Sequence, residues 1–370
     1  MADRPLKLLV AGGGTGGHLY PGIAVAQEVV AATGGEAVFV GTARGLETKL
    51  VPAAGFPLEL VKISGLKRMG LGGALKGMGR LPGAFFESRR ILSRHRPDVV
   101  LGVGGYASGP LVMAAALSGY PTAIQEQNSI PGFTNRMLGK FVKRAFIAFE
   151  QAASSFASRK VRFVGNPVRR SFLERAATAG AGASAGGAIV ILGGSQGSRA
   201  VNEFAQGMVR VLDARGRLPP IVHQTGAHEL EQMQLNYAAL GYAKRVDVRA
   251  FIDDMPGTLA QASIVVARAG ALTLAELAIM RRPAILIPLP TAADDHQTEN
   301  ALEFERAGAA VILPEHEASA TRLGDLADEI LSNPLKLSAM AQAMGTLARP
   351  NATKDIVSEL LAIARPPRGA

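Results

Sequence analysis

The chain has no cysteine, which excludes disulfides, thiolate nucleophiles and zinc–thiolate sites together and fits a reducing compartment. It also has no tryptophan, and aromatic residues make up only 5% of its 370 positions. The basic residues show no pattern of interleaved base-stacking aromatics, so nucleic acid is not the expected partner despite a net charge of +10. Charged residues are scarce as well, 19% against 48% hydrophobic, which excludes a disordered chain; the length suffices for two domains with separate cores. The amino-terminal apolar run LKLLVA is too short for a secretory signal. One uncharged stretch, residues 99–125, is long enough to cross a bilayer. Its GVGGYASGP segment, with Pro110, divides it into strand, turn and short helix, so no membrane span is expected.

What the chain does have is alternation. LKLLVA, AVFVG, LELVKI, DVVLGV, PTAIQ, RAFIAF and VRFVG read as strands, and residues 21–32, 110–118 and 131–141 as helices, each with a proline in its first turn. A tract of small residues, 178–187, carries no periodicity, and the pattern then restarts with AIVILGG. Two α/β domains with parallel sheets follow, their boundary near GNPVR, with an amphipathic segment at 353–364 capping one of them. Between residues 62 and 96 basic and apolar side chains mix and Glu87 is the only acid. Two readings stand: a surface that rests on anionic lipid, or an amphipathic helix with a solvated basic face.

Three strand–helix turns are glycine-rich: GGGTGG, GVGGYASG and GGSQGS. Without a Cβ in the way, main-chain N–H groups can approach an anion, and a helix amino terminus adds roughly half a positive charge. A diphosphate is the expected ligand. No lysine follows GGGTGG, which argues against a P-loop ATPase, and no acid stands at the end of AVFVG, which argues against NAD. His18, at a helix start whose dipole disfavours the imidazolium, suits a general base, or else a helix cap. In RAGALTLAE, Arg268, Thr273 and Glu276 surround a strand end; Glu276 can accept from a ribose diol or act as a capping acid. PLPTAADDHQTENA gathers Asp294, Asp295, His296, Gln297, Glu299 and Asn300, and its neutral amides favour a sugar over a metal.

In order, GGGTGGHLYPG, GVGGYASGP, EQNSIPGFTNR, GNPVR, GGSQGS, FIDDM, RAGALTLAE and DDHQTENA resemble the MurG family, the N-acetylglucosaminyltransferases that convert lipid I to lipid II in peptidoglycan synthesis. The motifs span residues 12–301. The resemblance implies a GT-B fold: two Rossmann-like, doubly wound parallel-sheet domains facing across a cleft. These would be residues 1–166 on the acceptor and membrane side, 167–349 for the UDP-sugar, and 350–370 as a helix returning to the first domain. It implies that Thr15, Gly16 and Gly17 approach the donor UDP-N-acetylglucosamine, that Asn128 reaches the sugar, and that Arg169 and Ser195 lie near the nucleotide diphosphate. The backbone of Ile252 would read uracil. Ala271, Leu272, Thr273, Leu274, Ala275 and Glu276 would line the nucleotide pocket, with Glu276 on the ribose and Gln297 on the sugar.

Gly104, Gly105 and Tyr106 would form an acceptor-side loop for lipid I. Gln125 stands where the family commonly has a histidine, which removes a titratable group there and leaves His18 and Glu126 as candidate catalytic residues. The chemistry implied is inverting transfer to the muramyl 4-hydroxyl with one general base, no covalent intermediate, and no metal or other cofactor. Leu75, Met78, Leu81, Phe85 and Phe86, among Lys76, Arg80, Arg89 and Arg90, would touch the anionic cytoplasmic face of the inner membrane. The enzyme would be peripheral there, with room for contacts to other cell-wall synthesis proteins. Alternative readings are another lipid glycosyltransferase of this fold or a sugar-nucleotide epimerase.

Overall fold

Runs such as VVLGVG (Val99–Gly104) and ASIVVA (Ala262–Ala267) are apolar or small at nearly every position, a pattern suited to strands buried on both faces. Both are fully buried strands of all-parallel sheets. The computed structural model describes residues 5–43, 45–61, 81–105, 107–178, 186–194 and 196–366, apart from the side chains of 81, 82 and 293. Two units form: residues 1–169 with 350–370, and residues 170–349.

Unit 1 runs β1 (Lys7–Gly12), α1 (Gly16–Thr33), β2 (Glu36–Gly41), α2 (Glu47–Ala53), β3 (Leu58–Leu60), α3 (Leu81–His95), β4 (Val99–Gly104), α4 (Ser108–Leu117), β5 (Thr122–Glu126), α5 (Phe133–Leu138), β6 (Arg144–Ile147) and β7 (Val161–Phe163). Its strand order is β3-β2-β1-β4-β5-β6-β7. The order reverses between β1 and β4, so the loops leaving those strands flank the switch point where open α/β sheets bind ligands. The uncharged stretch 99–125 is accounted for by β4, α4 and most of β5. Among the described residues no helix is long and apolar enough to cross a membrane.

Unit 2 runs α6 (Arg170–Thr178), β8 (Ala188–Leu192), α7 (Arg199–Ala214), β9 (Ile221–Gln224), α8 (Leu230–Ala239), β10 (Val246–Arg249), α9 (Met255–Ala260), β11 (Ala262–Ala267), α10 (Ala271–Met280), β12 (Ala284–Leu286), α11 (His296–Arg306), β13 (Ala310–Ile312), α12 (Ala320–Leu331) and α13 (Pro334–Thr346). The order β10-β9-β8-β11-β12-β13 puts its switch between β8 and β11. Helix α7 shows the packing logic: Val201, Ala205, Met208, Val209 and Leu212 recur at helical spacing and are buried in the unit 2 core. The last helix, α14 (Ala352–Ile363), belongs to unit 1, where Ile356, Val357, Leu360 and Ile363 join the core. Its Glu359 accepts from Arg144 Nε at 2.6 Å and Arg162 Nε at 2.9 Å.

Four boundaries differ from expectation. Helix α1 begins at Gly16 rather than 21, with Pro21 inside it. Proline there forfeits only the bond to the carbonyl of Gly17, a solvent-exposed residue, so the helix extends back to Thr15 as its N-cap. Helix α4 begins at Ser108, with Pro110 third in line, where no intrahelical donor is required. Helix α5 covers only Phe133–Leu138 of the expected 131–141, because Glu126 holds the N–H of Gly132 and keeps the preceding residues as a loop. The unit boundary lies at 169/170 rather than 166/167. Asn166 exchanges hydrogen bonds with Gln125 and Gln127, and the Arg169 guanidinium stacks 4.9 Å from the Tyr20 ring, which ties both to unit 1.

Candidate active site

In unit 1 the loop after β1 and the loop after β4 interlock. A Cβ on Gly105, whose φ is +82°, would lie 2.3 Å from the Gly13 carbonyl oxygen, so the backbones touch and only glycine fits. A Cβ on Gly104 would lie 2.8 Å from His18 Cδ2 and 3.0 Å from Nε2, which places the imidazole directly over that backbone. His18 thus sits in the first turn of α1, half-buried, with Nδ1 3.4 Å from Thr15 Oγ1. The N–H groups of His18 and Leu19 both donate to the Thr15 carbonyl at 3.2 Å. Gly16 and Gly17 form the opening of the helix rather than the loop before it. Tyr106 lies outside the described residues.

Sequence reasoning missed the residue beneath this loop. Glu47, the first residue of α2, is buried and accepts from Gly14 N–H at 2.8 Å, Thr42 N–H at 2.8 Å and Thr42 Oγ1 at 2.7 Å. Desolvation pushes its carboxyl up, but the hydrogen bonds from Gly14 and Thr42 outweigh that, holding it below the usual carboxylate range. No acid ends β2; the acid stands a few residues later, at the start of α2, where it is spent on the loop backbone.

Glu126 ends β5 and is 2% exposed. Its carboxylate accepts from Asn128 N–H at 3.0 Å, Asn128 Nδ2 at 3.4 Å, Gly132 N–H at 3.1 Å and Asn135 Nδ2 at 2.8 Å. Burial pushes its carboxyl above the usual range, against those bonds. With both oxygens engaged, Glu126 fastens the loop that presents half-buried Asn128, a geometry that suits holding rather than proton abstraction. Gln125 is fully buried; its Nε2 donates to Asn166 Oδ1 at 2.8 Å and its Oε1 accepts from Gln127 Nε2, so it is scaffold.

In unit 2 the glycine loop 193–198 follows β8, and Ser198 caps α7 by accepting from Val201 N–H at 3.4 Å. Ser195 lies outside the described residues. Arg268, buried after β11, donates through Nη2 to Ser198 Oγ at 2.7 Å and to Glu315, and through Nη1 to the carbonyls of Ile287 at 3.1 Å and Pro288 at 3.0 Å. One guanidinium therefore ties together the loops that leave β8, β11, β12 and β13. Helix α10 opens at Ala271 with Gly270 as an N-cap that offers no side chain. Leu272, Thr273, Ala275 and Glu276 are half-buried, whereas Ala271 and Leu274 are buried, and Leu274 points into the fold.

Ile252 is also buried, and its N–H is already engaged by Gln224 Oε1 at 2.9 Å. Gln297 accepts from Leu289 N–H at 3.0 Å, and Asp294 and Asp295 precede α11 with left-handed φ of 54° and 52°. Among the described residues no group of three or more His, Asp or Glu side chains is placed to hold a metal.

Under the unit 2 loop lies a buried polar chain. Tyr237 Oη donates to His223 Nδ1 and His223 Nε2 donates to Asn202 Oδ1, each at 3.0 Å; Asn202 Nδ2 donates to Glu229 Oε2 at 2.8 Å. Desolvation lowers the His223 imidazole to about 3. Below the unfolded value near 6.5 the unfolded chain takes up a proton that the fold refuses. Stability is therefore full above pH ~6.5 and falls by about 1.4 kcal/mol per pH unit below it. Acid titrations of thermal stability should show this slope in wild type and lose it in His223→Gln. An unchanged slope would refute the assignment.

The glycosyltransferase family 28 N-terminal domain matches residues 8–147 and the family's C-terminal domain matches 188–359. The chain is 49% identical over 355 residues to the UDP-N-acetylglucosamine–N-acetylmuramyl-(pentapeptide) pyrophosphoryl-undecaprenol N-acetylglucosamine transferase of Myxococcus xanthus, covering 95% of this chain and 91% of that one. Among solved structures it is similar to Acinetobacter baumannii MurG, with a TM-score of 0.77 and 30% identity over 97% of this chain and 100% of that one. A Listeria monocytogenes putative UDP-N-acetylglucosamine 2-epimerase has a TM-score of 0.68 at 16% identity, covering 96% and 95%, and shares the fold alone.

Proposed function

We propose, because the chain belongs to the MurG family within glycosyltransferase family 28, that it transfers N-acetylglucosamine from UDP-N-acetylglucosamine to the muramyl 4-hydroxyl of undecaprenyl-diphosphate-linked muramyl pentapeptide, forming a β-1,4 bond with inversion. The observation that carries this reading is the near full-length identity to relatives bearing that activity in their names. The α-linked donor inverts in a single in-line displacement. The 4-hydroxyl oxygen attacks the anomeric carbon, its proton passes to His18 Nε2, and the sugar–phosphate bond breaks with its electron pair leaving on UDP. In unit 2 the amides of loop 193–198, Ser195 and the α10 amino terminus meet the diphosphate, whose charge grows as the bond breaks. Glu276 takes the ribose, the Ile252 carbonyl takes uracil and Gln297 the sugar. From unit 1, Thr15, Gly16, Gly17 and Asn128 serve the sugar end and Arg169 the diphosphate, while Gly104, Gly105 and Tyr106 serve the acceptor.

The test is release of UDP from labelled donor with a short-chain lipid I analogue, with diacylglycerol, and with no acceptor. Release with the lipid I analogue alone supports the assignment. Release with diacylglycerol, or epimerised sugar without acceptor, overturns it.

A lipid-linked acceptor requires docking at a membrane surface. Leu75 and Met78 lie outside the described residues, as does the side chain of Leu81. Phe85 is half-buried, and Phe86 is 64% exposed beside exposed Arg89 and Arg90 on α3. Helices α3, α4 and α5 are successive neighbours, and α5 adds Phe133, 71% exposed, with Arg136 and Lys140 close by in sequence. At about 1 kcal/mol per basic residue near an anionic surface, Arg89→Gln with Arg90→Gln weakens binding to vesicles containing phosphatidylserine roughly 30-fold. Unchanged binding in a vesicle sedimentation assay would rule out this face.

A further inference from the structure

Gln224 closes β9, the strand between β8 and β10, paired in register with Leu192 on one side and Arg249 on the other. The glycine loop 193–198 leaves the first neighbour, and the segment carrying Ile252 leaves the second. The Gln224 side chain, 3% exposed, joins the two: Nε2 donates to the Gly194 carbonyl at 3.1 Å, and Oε1 accepts from Ile252 N–H at 2.9 Å. Only this orientation of the amide satisfies both partners. The Gly194 carbonyl also accepts from Gly197 N–H at 3.1 Å, so Gln224 grips the turn of the glycine loop itself.

We infer that Gln224 is a positioning residue for nucleoside diphosphates, fixing the separation between the backbone that meets the base and the loop that meets the pyrophosphate. The inference rests on the donor-binding reading given above for unit 2. A nucleoside diphosphate carries base and pyrophosphate at opposite ends of its ribose, so affinity depends on both subsites being held at one spacing before binding. The two loops leave strands two ladder spacings apart, roughly 10 Å. A single carboxamide spans the remaining gap.

The test is calorimetric binding of UDP and of uridine, which is independent of transfer. Gln224→Met keeps the length and apolar packing but removes both hydrogen bonds. It is expected to weaken UDP roughly tenfold, the equivalent of one to two neutral hydrogen bonds, and uridine less than twofold. Gln224→Glu adds a chemical signature. Protonated, its carboxyl donates to Gly194 and accepts from Ile252 as glutamine does; ionised, it loses the donor. UDP affinity of that variant is expected to recover at least fivefold from pH 8 to pH 5.5, measured relative to wild type at each pH, which also serves if Gln224→Met fails to fold. UDP affinity unchanged in Gln224→Met, equal losses for uridine and UDP, or a pH-independent Gln224→Glu ratio each overturns the inference. Absence of UDP binding to wild type instead overturns the donor reading on which it stands.

Discussion

His18→Ala is expected to lower kcat for sugar transfer by about 10²–10⁴, with the Kd for UDP unchanged and the acidic limb of the pH–rate profile flattened. The imidazole lies over Gly104 at the switch point of unit 1, half-exposed in the first turn of α1, where the N–H groups of His18 and Leu19 donate to the Thr15 carbonyl. Nδ1 faces Thr15 Oγ1 at 3.4 Å, and the proton acceptor in the proposed transfer is Nε2. Glu126→Gln makes the contrasting case. Its carboxylate already accepts four hydrogen bonds that shape the Asn128 loop, so its neutralisation is expected to raise the donor KM more than it lowers kcat. Full activity in His18→Ala, or loss of the acidic limb in Glu126→Gln alone, would move the base to Glu126.

Glu47→Gln, an isosteric change beneath the first glycine loop, is expected to be the second most damaging substitution. One carboxylate oxygen serves Gly14 N–H, and the other serves Thr42 N–H and Oγ1. Whichever way the glutamine amide is turned, its NH₂ meets a backbone donor, leaving a partly buried N–H without its acceptor and removing a charge-assisted hydrogen bond. The cost is about 2–3 kcal/mol, or roughly 4–12 °C in Tm for a unit of this size. There is no slack to absorb a shift: a Cβ on Gly13 or Gly45 would already collide with this carboxylate. Because the loop carries Thr15 and His18, kcat is expected to fall at least tenfold as well. The native carboxyl titrates below its ordinary value, so its contribution is full above pH ~4.5 and lost as pH falls through the depressed value. The Tm gap between wild type and Glu47→Gln is therefore expected to close on acidification. A variant with native Tm and kcat would show that the loop stands without this carboxylate.

Much of the fold and part of the site were legible because their signals are local. A glycine-rich turn between an apolar strand and a helix is written in consecutive residues, as at GGGTGG and GGSQGS, and two α/β halves follow from alternation alone. Proline was the misleading signal: Pro21 lies inside α1 and is not its first residue, and the Gly17 carbonyl that it leaves without an N–H belongs to a solvent-exposed residue. The family, too, could be read from ordered motifs.

What only the tertiary structure decided is which polar groups spend themselves on one another. Glu47 reaches back 33 residues to Gly14, and Gln224 reaches 30 residues back and 28 forward to Gly194 and Ile252. Glu126, in contrast, has its oxygens filled from residues close in sequence, yet only the folded loop shows that they are filled. A buried donor must find an acceptor, but strand order, which places β9 between β8 and β10 and α2 beneath the first glycine loop, determines which acceptor is near. Residue type and spacing name the chemistry available to this chain; the neighbours that the sheets bring together decide which of those groups remain open to a substrate.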